Sequence, residues 1–258
     1  MTSSLGGKHA VVTGGGRGIG AVIAQALADQ GASISLLGRN QQRLEETARA
    51  IGRITQCVVV DVSDEASVKG AFDQIRARFQ RIDVLVNNAG QAGSAPFGKT
   101  TLDLWQIMLA VNLTGTFLCT REVLPAMMKQ RHGRIVNIAS TAGLVGYAYV
   151  SAYVAAKHGV VGLTRALALE AAKSGVTINA LCPGFTETDI VRDALANIMQ
   201  KTGKSEEEAR AALTSTNPQG RLVRPEEIAN AVLWLCAPGS EAINGQAIPI
   251  AGGEVMAG

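Results

Sequence analysis

The feature that most constrains this chain is a glycine-rich turn set between a strand pattern and a helix pattern near its beginning. The apolar run 9–13 ends in Thr13-Gly14-Gly15-Gly16-Arg17-Gly18-Ile19-Gly20, and an amphipathic segment begins at once. Glycines at 14, 18 and 20 suit a tight turn, a close backbone approach to a pyrophosphate, and contact between helix and strand. A helix starting there directs free N–H groups and a positive dipole end toward phosphates. Glycine-rich turns are common, so the pattern gains its meaning from the rest of the chain.

The rest of the chain alternates between two periodicities. Apolar runs at 9–13, 33–37, 56–60, 84–87, 134–139, 177–181 and 246–250 predict seven strands. Helix-period segments lie at 18–30, 41–51, 65–79, 102–130, 152–173 and 225–237. Runs such as Val58-Val59-Val60 show no polar alternation, as expected for parallel strands covered on both faces. The predicted class is α/β: a single-domain, Rossmann-type doubly wound parallel sheet spanning 1–258, with right-handed crossovers. No repeat or linker divides the chain, and 258 residues at 47% hydrophobic content can fill one large core. Residues 185–220 break the rhythm with a charged amphipathic piece at 205–210. Because the segment begins just past a strand's carboxyl end, it reads as a helical lid over a substrate.

Charge and cysteine usage narrow the function. A net charge of +3 without a basic block argues against nucleic acid or an anionic membrane as partner. No apolar run approaches the ~20 residues of a membrane span, and the first eight residues lack the apolar stretch of a signal peptide. Cys57, Cys119, Cys182 and Cys236 are far apart, without a CxxC pair, and the three histidines are scattered. They read as reduced thiols in a cytoplasmic protein that holds no metal.

Two further positions bear on a dinucleotide. NAD binders carry an acidic residue at the end of the second strand, where it accepts from the ribose 2′-hydroxyl. Here the chain reads Leu36-Leu37-Gly38-Arg39-Asn40, with no carboxylate before Glu45. Arg39, with Arg17 close by, would instead pair with a 2′-phosphate, which favours NADP(H) over NAD(H). Asp61 and Val62 end the third strand; Asp61 is read as a contact for the adenine end or as a helix N-terminal acid. Farther on, Tyr153 and Lys157 share one face of a helix. An ammonium beside a phenol lowers its pKa from ~10 toward a useful acid/base range. That spacing occurs on many helices, so its neighbours decide its meaning.

The neighbours are Asn87-Asn88-Ala89-Gly90 after strand four, Asn112 in the long helix, Ser140 after strand five, and Pro183-Gly184-Phe185-Thr186-Glu187-Thr188 after strand six. With the 13–20 loop and the Tyr153/Lys157 pair, they make the chain resemble the short-chain dehydrogenase/reductase family over essentially its whole length. The resemblance implies that Tyr153 is the acid/base, that Ser140 orients the carbonyl oxygen, that Lys157 tunes the tyrosine and holds the nicotinamide ribose, and that Asn112 anchors a water in the proton path. It implies cofactor contacts at Gly14, Arg17, Gly18, Ile19, Gly20, Arg39, Asp61, Val62, Asn88, Ala89, Gly90, Tyr153, Lys157, Pro183, Gly184, Thr186 and Thr188. Tyr147 and Tyr149 lack a lysine four residues later and are expected to line the substrate pocket. Asn112-Leu113-Thr114-Gly115, the 133–140 stretch and Cys182-Pro183-Gly184-Phe185 resemble the branch that reduces 3-oxoacyl thioesters, polyketide ketoreductases included. The expected substrate is a small carbonyl or alcohol, a CoA or carrier-protein thioester among them; Arg192, Lys201 and Lys204 at the rim read first as a solvated face and second as contacts for its phosphate. The competing readings are a catabolic NAD-linked alcohol or 3-hydroxyacyl-CoA dehydrogenase, and a nucleotide-binding module without chemistry. The family also implies a homotetramer built on the helices at 102–130 and 152–173.

Overall fold

The computed structural model describes residues 4–188, 191, 195–196, 199–200, 202–203 and 205–256. Seven strands form one sheet: β1 (His9–Thr13), β2 (Ser33–Gly38), β3 (Thr55–Val59), β4 (Val84–Asn87), β5 (Gly133–Ile138), β6 (Val176–Pro183) and β7 (Ala247–Ile250). Their order is β3-β2-β1-β4-β5-β6-β7, and every pair is parallel. The helices are α1 (Gly18–Asp29), α2 (Gln41–Ile51), α3 (Glu65–Arg78), α4 (Leu102–Leu109), α5 (Gly115–Lys129), α6 (Ser151–Ala171), α7 (Glu206–Thr214) and α8 (Pro225–Cys236).

Continuous apolar strands feed two cores, one on each face of the sheet. Ala10 and Val12 enter a cluster with α1 and α8, whereas Val11 between them enters the opposite cluster with α3 and α5. Val84 and Val86 divide from Leu85 in the same way. Successive side chains of a strand point to opposite faces, so a doubly covered sheet needs apolar residues at every position. After β3 the chain returns to the other side of β1. The crossover direction therefore reverses between β1 and β4, and their carboxyl ends diverge into a crevice there.

Two expectations about helices are corrected. The continuous helix expected at 102–130 is interrupted by a π turn at Ala110–Thr114, centred on Asn112. Asp61 does not begin α3. Asp64 caps that helix by accepting from the Ser67 N–H at 2.6 Å, and Asp61 instead accepts from the N–H and hydroxyl of Ser63. The column Leu102–Lys129 is long and apolar enough, by length and composition, to cross a membrane. Its sheet-facing residues Leu118, Cys119, Val123 and Met127 are buried in the α3/α5 core, whereas Leu102, Ile107 and Phe117 are exposed.

Val191, Leu195 and Ala209 of the 185–220 segment pack with Leu222 just beyond it in a small apolar cluster, distinct from both main cores. A single parallel bridge between Thr186 and Val223 closes its base. Ser205 and Glu208 form a capping box that starts α7. Arg192, Lys201 and Lys204, the expected rim cations, lie outside the described residues.

Candidate active site

A cleft of about 720 Å³ occupies the crevice at the strand carboxyl ends. On its β1–β2 side stand Arg17, Arg39 and Arg43; on its β5–β6 side stand Ser140, Tyr147, Tyr153 and Lys157. Of the expected site residues, Gly14, Arg17, Gly18, Ile19, Arg39, Asp61, Val62, Asn88, Ala89, Gly90, Asn112, Ser140, Tyr153, Lys157, Pro183, Gly184, Thr186 and Thr188 all line it. Gly20 sits beneath the loop, where a Cβ would collide with the Gly14 carbonyl oxygen.

The glycine loop is held from below by β4. Gly14 has φ +65°, a backbone conformation that side chains resist, and its missing Cβ makes room for the Asn88 amide and the Ala89 backbone. Asn88 Nδ2 donates to the Thr13 carbonyl at 3.0 Å, and the Thr13 hydroxyl accepts from the N–H groups of Asn88 and Ala89. Asn88 thus braces the turn as well as lining the cleft. Side chains cap α2, α3, α4 and α7, but α1 and α6, whose first turns border the cleft, have no side-chain cap. The amino-terminal N–H groups of α1 are thereby left to a ligand, and their partial positive charge suits a phosphate.

The ribose end is cationic. Arg43, which sequence reasoning missed, comes round on the first turn of α2 to join Arg39 and Arg17 at the cleft. Nothing local in Gln42-Arg43-Leu44 marks it, since only the β2–α2 turn decides which helical residue faces inward. Asp61 is held below the usual carboxylate range, chiefly by its two hydrogen bonds from Ser63 and further by the Arg39 charge. Across the cleft, Thr188 reaches back toward the glycine loop, with its methyl 3.6 Å from where a Cβ on Gly18 would stand.

The other side brings the chemistry-bearing residues together. Ser140 ends the β5 exit and caps the short turn Thr141–Gly143 by accepting from the Ala142 N–H at 3.1 Å, which fixes its hydroxyl. α6 then carries Tyr153 and Lys157. Lys157 is 5% exposed, donates from Nζ to the Ile138 carbonyl at 2.9 Å, and lies 5.6 Å from the Tyr153 ring centre. Burial lowers its pKa to about 8. The expectation that Lys157 depresses the tyrosine is corrected: burial raises the Tyr153 pKa, and a hydrogen bond with Ser140 opposes the rise. The lysine's ammonium is engaged by a backbone carbonyl and is itself weakened by burial, so loss of water around the phenol prevails.

Asn112 acts as a clamp. Its Nδ2 donates to the Gln91 and Met108 carbonyls at 2.9 Å each, and its Oδ1 accepts from the Gln91 N–H at 3.2 Å. The π turn rotates Asn112 inward and pins the loop after β4. Gly90, where a Cβ would press on Asn112 Oδ1 at 2.8 Å, keeps the cleft open between that amide and Lys157. Beneath them, Asn87 donates to Thr120 and Asn137, and Asn137 donates to Thr164, tying β4 and β5 to α5 and α6. No local pattern marks this buried network, because its four members are scattered through the chain and meet only in the fold.

Comparison with known proteins agrees with this geometry. Residues 8–198 match the short chain dehydrogenase family. The chain is 42% identical over 252 residues to a protein named for ketoacyl reductase 1 of the granaticin polyketide synthase, from Streptomyces violaceoruber, covering 95% of this chain and 92% of that one. It is 39% identical to the 3-oxoacyl-[acyl-carrier-protein] reductase of Aquifex aeolicus, covering 98% and 99%. Among solved structures, a single-substitution variant of actinorhodin polyketide ketoreductase with NADPH superposes with a TM-score of 0.92 at 38% identity, covering 96% and 97%. The chain belongs to the short chain dehydrogenase family.

Proposed function

We propose that the protein is an NADPH-dependent ketoreductase that converts a 3-oxoacyl thioester or related ketone to the secondary alcohol. The observation that carries the reading is one cleft with three arginines at its β2 end and Ser140, Tyr153 and Lys157 at its β5 end. The ketoreductase names of the relatives point to the same reaction. The residues fit the cofactor: the uncapped α1 terminus suits a pyrophosphate, and Gly90 leaves the close approach that a Cβ would fill. When bound, NADPH supplies the hydride. Lys157 would hold the cofactor's ribose, Ser140 would orient the carbonyl oxygen, and Tyr153 Oη would deliver the proton that quenches the developing alkoxide. A phenol whose pKa is raised remains loaded with its proton at neutral pH, which suits reduction. The Asn112 clamp keeps the 88–91 loop beside that proton path.

No carboxylate stands at the end of β2, which disfavours the NAD-linked dehydrogenase reading. Residues 185–220 serve as the substrate lid, a role supported by their separate apolar cluster and by Phe185 and Val191 at the cleft wall. The assembly is a homotetramer, supported by the exposed Leu102, Ile107 and Phe117 on α4–α5 and Leu169 on α6. It works in the cytoplasm, a setting that suits four unpaired cysteines.

Turnover of a ketone and 3-oxo thioester panel with NADPH and NADH tests the activity; no oxidation of either cofactor overturns it. Arg39→Ala is expected to weaken NADPH binding roughly 10–100-fold in a fluorescence titration, the scale of one charge-assisted contact, while NADH binding changes less than about threefold. Equal losses for both cofactors would remove Arg39 from the 2′-phosphate site.

A further inference from the structure

The last described turn of the chain reaches the substrate side of the cleft. Gly252 and Gly253 have φ +62° and +95°, and both pack on the segment after α7: a Cβ on Gly252 would collide with the Asn217 amide, and one on Gly253 would sit 3.3 Å from the Pro218 ring. The turn delivers Glu254 to a junction of three segments. Its Oε1 accepts from the Tyr147 hydroxyl at 2.6 Å and from the Thr216 hydroxyl at 3.0 Å. Its Oε2 borders Gly184, where a Cβ would lie 2.9 Å away. Tyr147 and Gly184 both line the cleft.

The chemistry of this contact is directional. A phenol has one proton, and that of Tyr147 is committed to a carboxylate; burial and this hydrogen bond hold its pKa at about 12. Toward the cleft Tyr147 therefore offers no proton, only a ring edge and an oxygen that the Thr141 hydroxyl approaches, with a carboxylate behind them. Among the described residues lining the β5–β6 side, Lys157 is the one cation, and its ammonium is engaged by the Ile138 carbonyl.

We propose that the Glu254 carboxylate sets substrate selectivity: its negative charge, standing behind Tyr147 at the cleft wall, admits uncharged 3-oxo esters and thioesters and rejects 3-oxo carboxylates. The inference rests on the ketoreductase reading and assigns a selectivity to the same site. The Gly252–Gly253 turn and the Thr216 bond also join this selectivity to the far end of the 185–220 segment, so substrate contact and lid position share one carboxylate.

The test compares ethyl 3-oxobutanoate with 3-oxobutanoate, both with NADPH, in the full-length protein. The unsubstituted enzyme should favour the ester. Glu254→Gln should move the ester-to-acid ratio of kcat/KM toward the acid by about tenfold, the scale of one like-charge contact in a partly solvated gap, with the change carried by the KM of the acid. Tyr147→Phe retains the carboxylate and should retain the rejection of the acid. A ratio that stays within twofold in Glu254→Gln overturns the inference, as does an equal shift in both variants, which would assign the effect to lost packing. Absence of ester turnover in the unsubstituted enzyme overturns the ketoreductase reading and this inference with it.

Discussion

Tyr153→Phe is expected to reduce kcat for ketone reduction by roughly 10²–10⁴-fold, the range contributed by a positioned general acid. NADPH affinity should change less than about threefold, because the substitution removes a single oxygen from a ring that stays packed on α6. The raised pKa of Tyr153 sharpens the expectation. At pH 7 the phenol is the protonated form, so reduction starts from a loaded donor, and its loss leaves water to protonate the alkoxide. Tyr147 cannot substitute, since its proton is committed to Glu254 at 2.6 Å. Steady-state rates with NADPH and a reducible ketone, beside a cofactor titration, decide the matter. A variant within tenfold of the parent would remove Tyr153 from the proton-transfer step.

The second large effect concerns stability and has the opposite sign from the effect on activity. Burial lowers the Lys157 pKa from its usual 10.5 to about 8. Between those values the unfolded chain holds a proton that the folded chain has released, so this residue's contribution to stability rises with pH across the window. Below pH 8 the folded protein carries the full cost of a buried ammonium, about 3 kcal/mol at 1.36 kcal/mol per pKa unit. Lys157→Met removes that cost and forfeits about 1 kcal/mol for the hydrogen bond to the Ile138 carbonyl. Without added cofactor, the variant should be more stable than its parent by about 2 kcal/mol at pH 7, with the advantage gone by about pH 10. Thermal unfolding followed from pH 6 to 10 reads both quantities. A Lys157→Met variant less stable than its parent at pH 7 would mean that the ammonium is not penalised by burial. The same variant should lose NADPH affinity and turnover together, as expected where function is bought with local instability.

These two side chains also show where sequence reasoning succeeds and where it stops. Their spacing in Tyr153-Val154-Ala155-Ala156-Lys157 is a local property of one helix, so their common face could be read directly. Which of them yields its pKa to the other could not be read. That depends on the Ile138 carbonyl, on Ser140 and on the depth of the cleft, all supplied by β5 and the turn after it. The strands were legible because most of them carry short apolar runs such as Leu36-Leu37 and Val58-Val59, and the glycine loop because its conformational demands are met within eight residues. The π turn at Asn112 was not legible, since Ala110-Val111-Asn112-Leu113-Thr114 carries an ordinary helical pattern and only the Gln91 backbone gives the inward amide its partners.

By itself, then, the sequence determined an alternating α/β chain with a phosphate-binding turn, a basic residue after β2, and a serine, tyrosine and lysine in the order and spacing of a reductase site. Those are short-range properties, governed by backbone sterics, hydrophobic period and helix geometry. The tertiary structure alone decided that Arg43 joins Arg39, that Asn87, Asn137 and Thr164 brace the cleft floor, and that Glu254 meets Tyr147 across 107 positions of chain. Such contacts depend on strand order and on turns of left-handed glycine. A carboxylate at the tail has no local signal for its partner until the sheet brings the two within hydrogen-bonding distance.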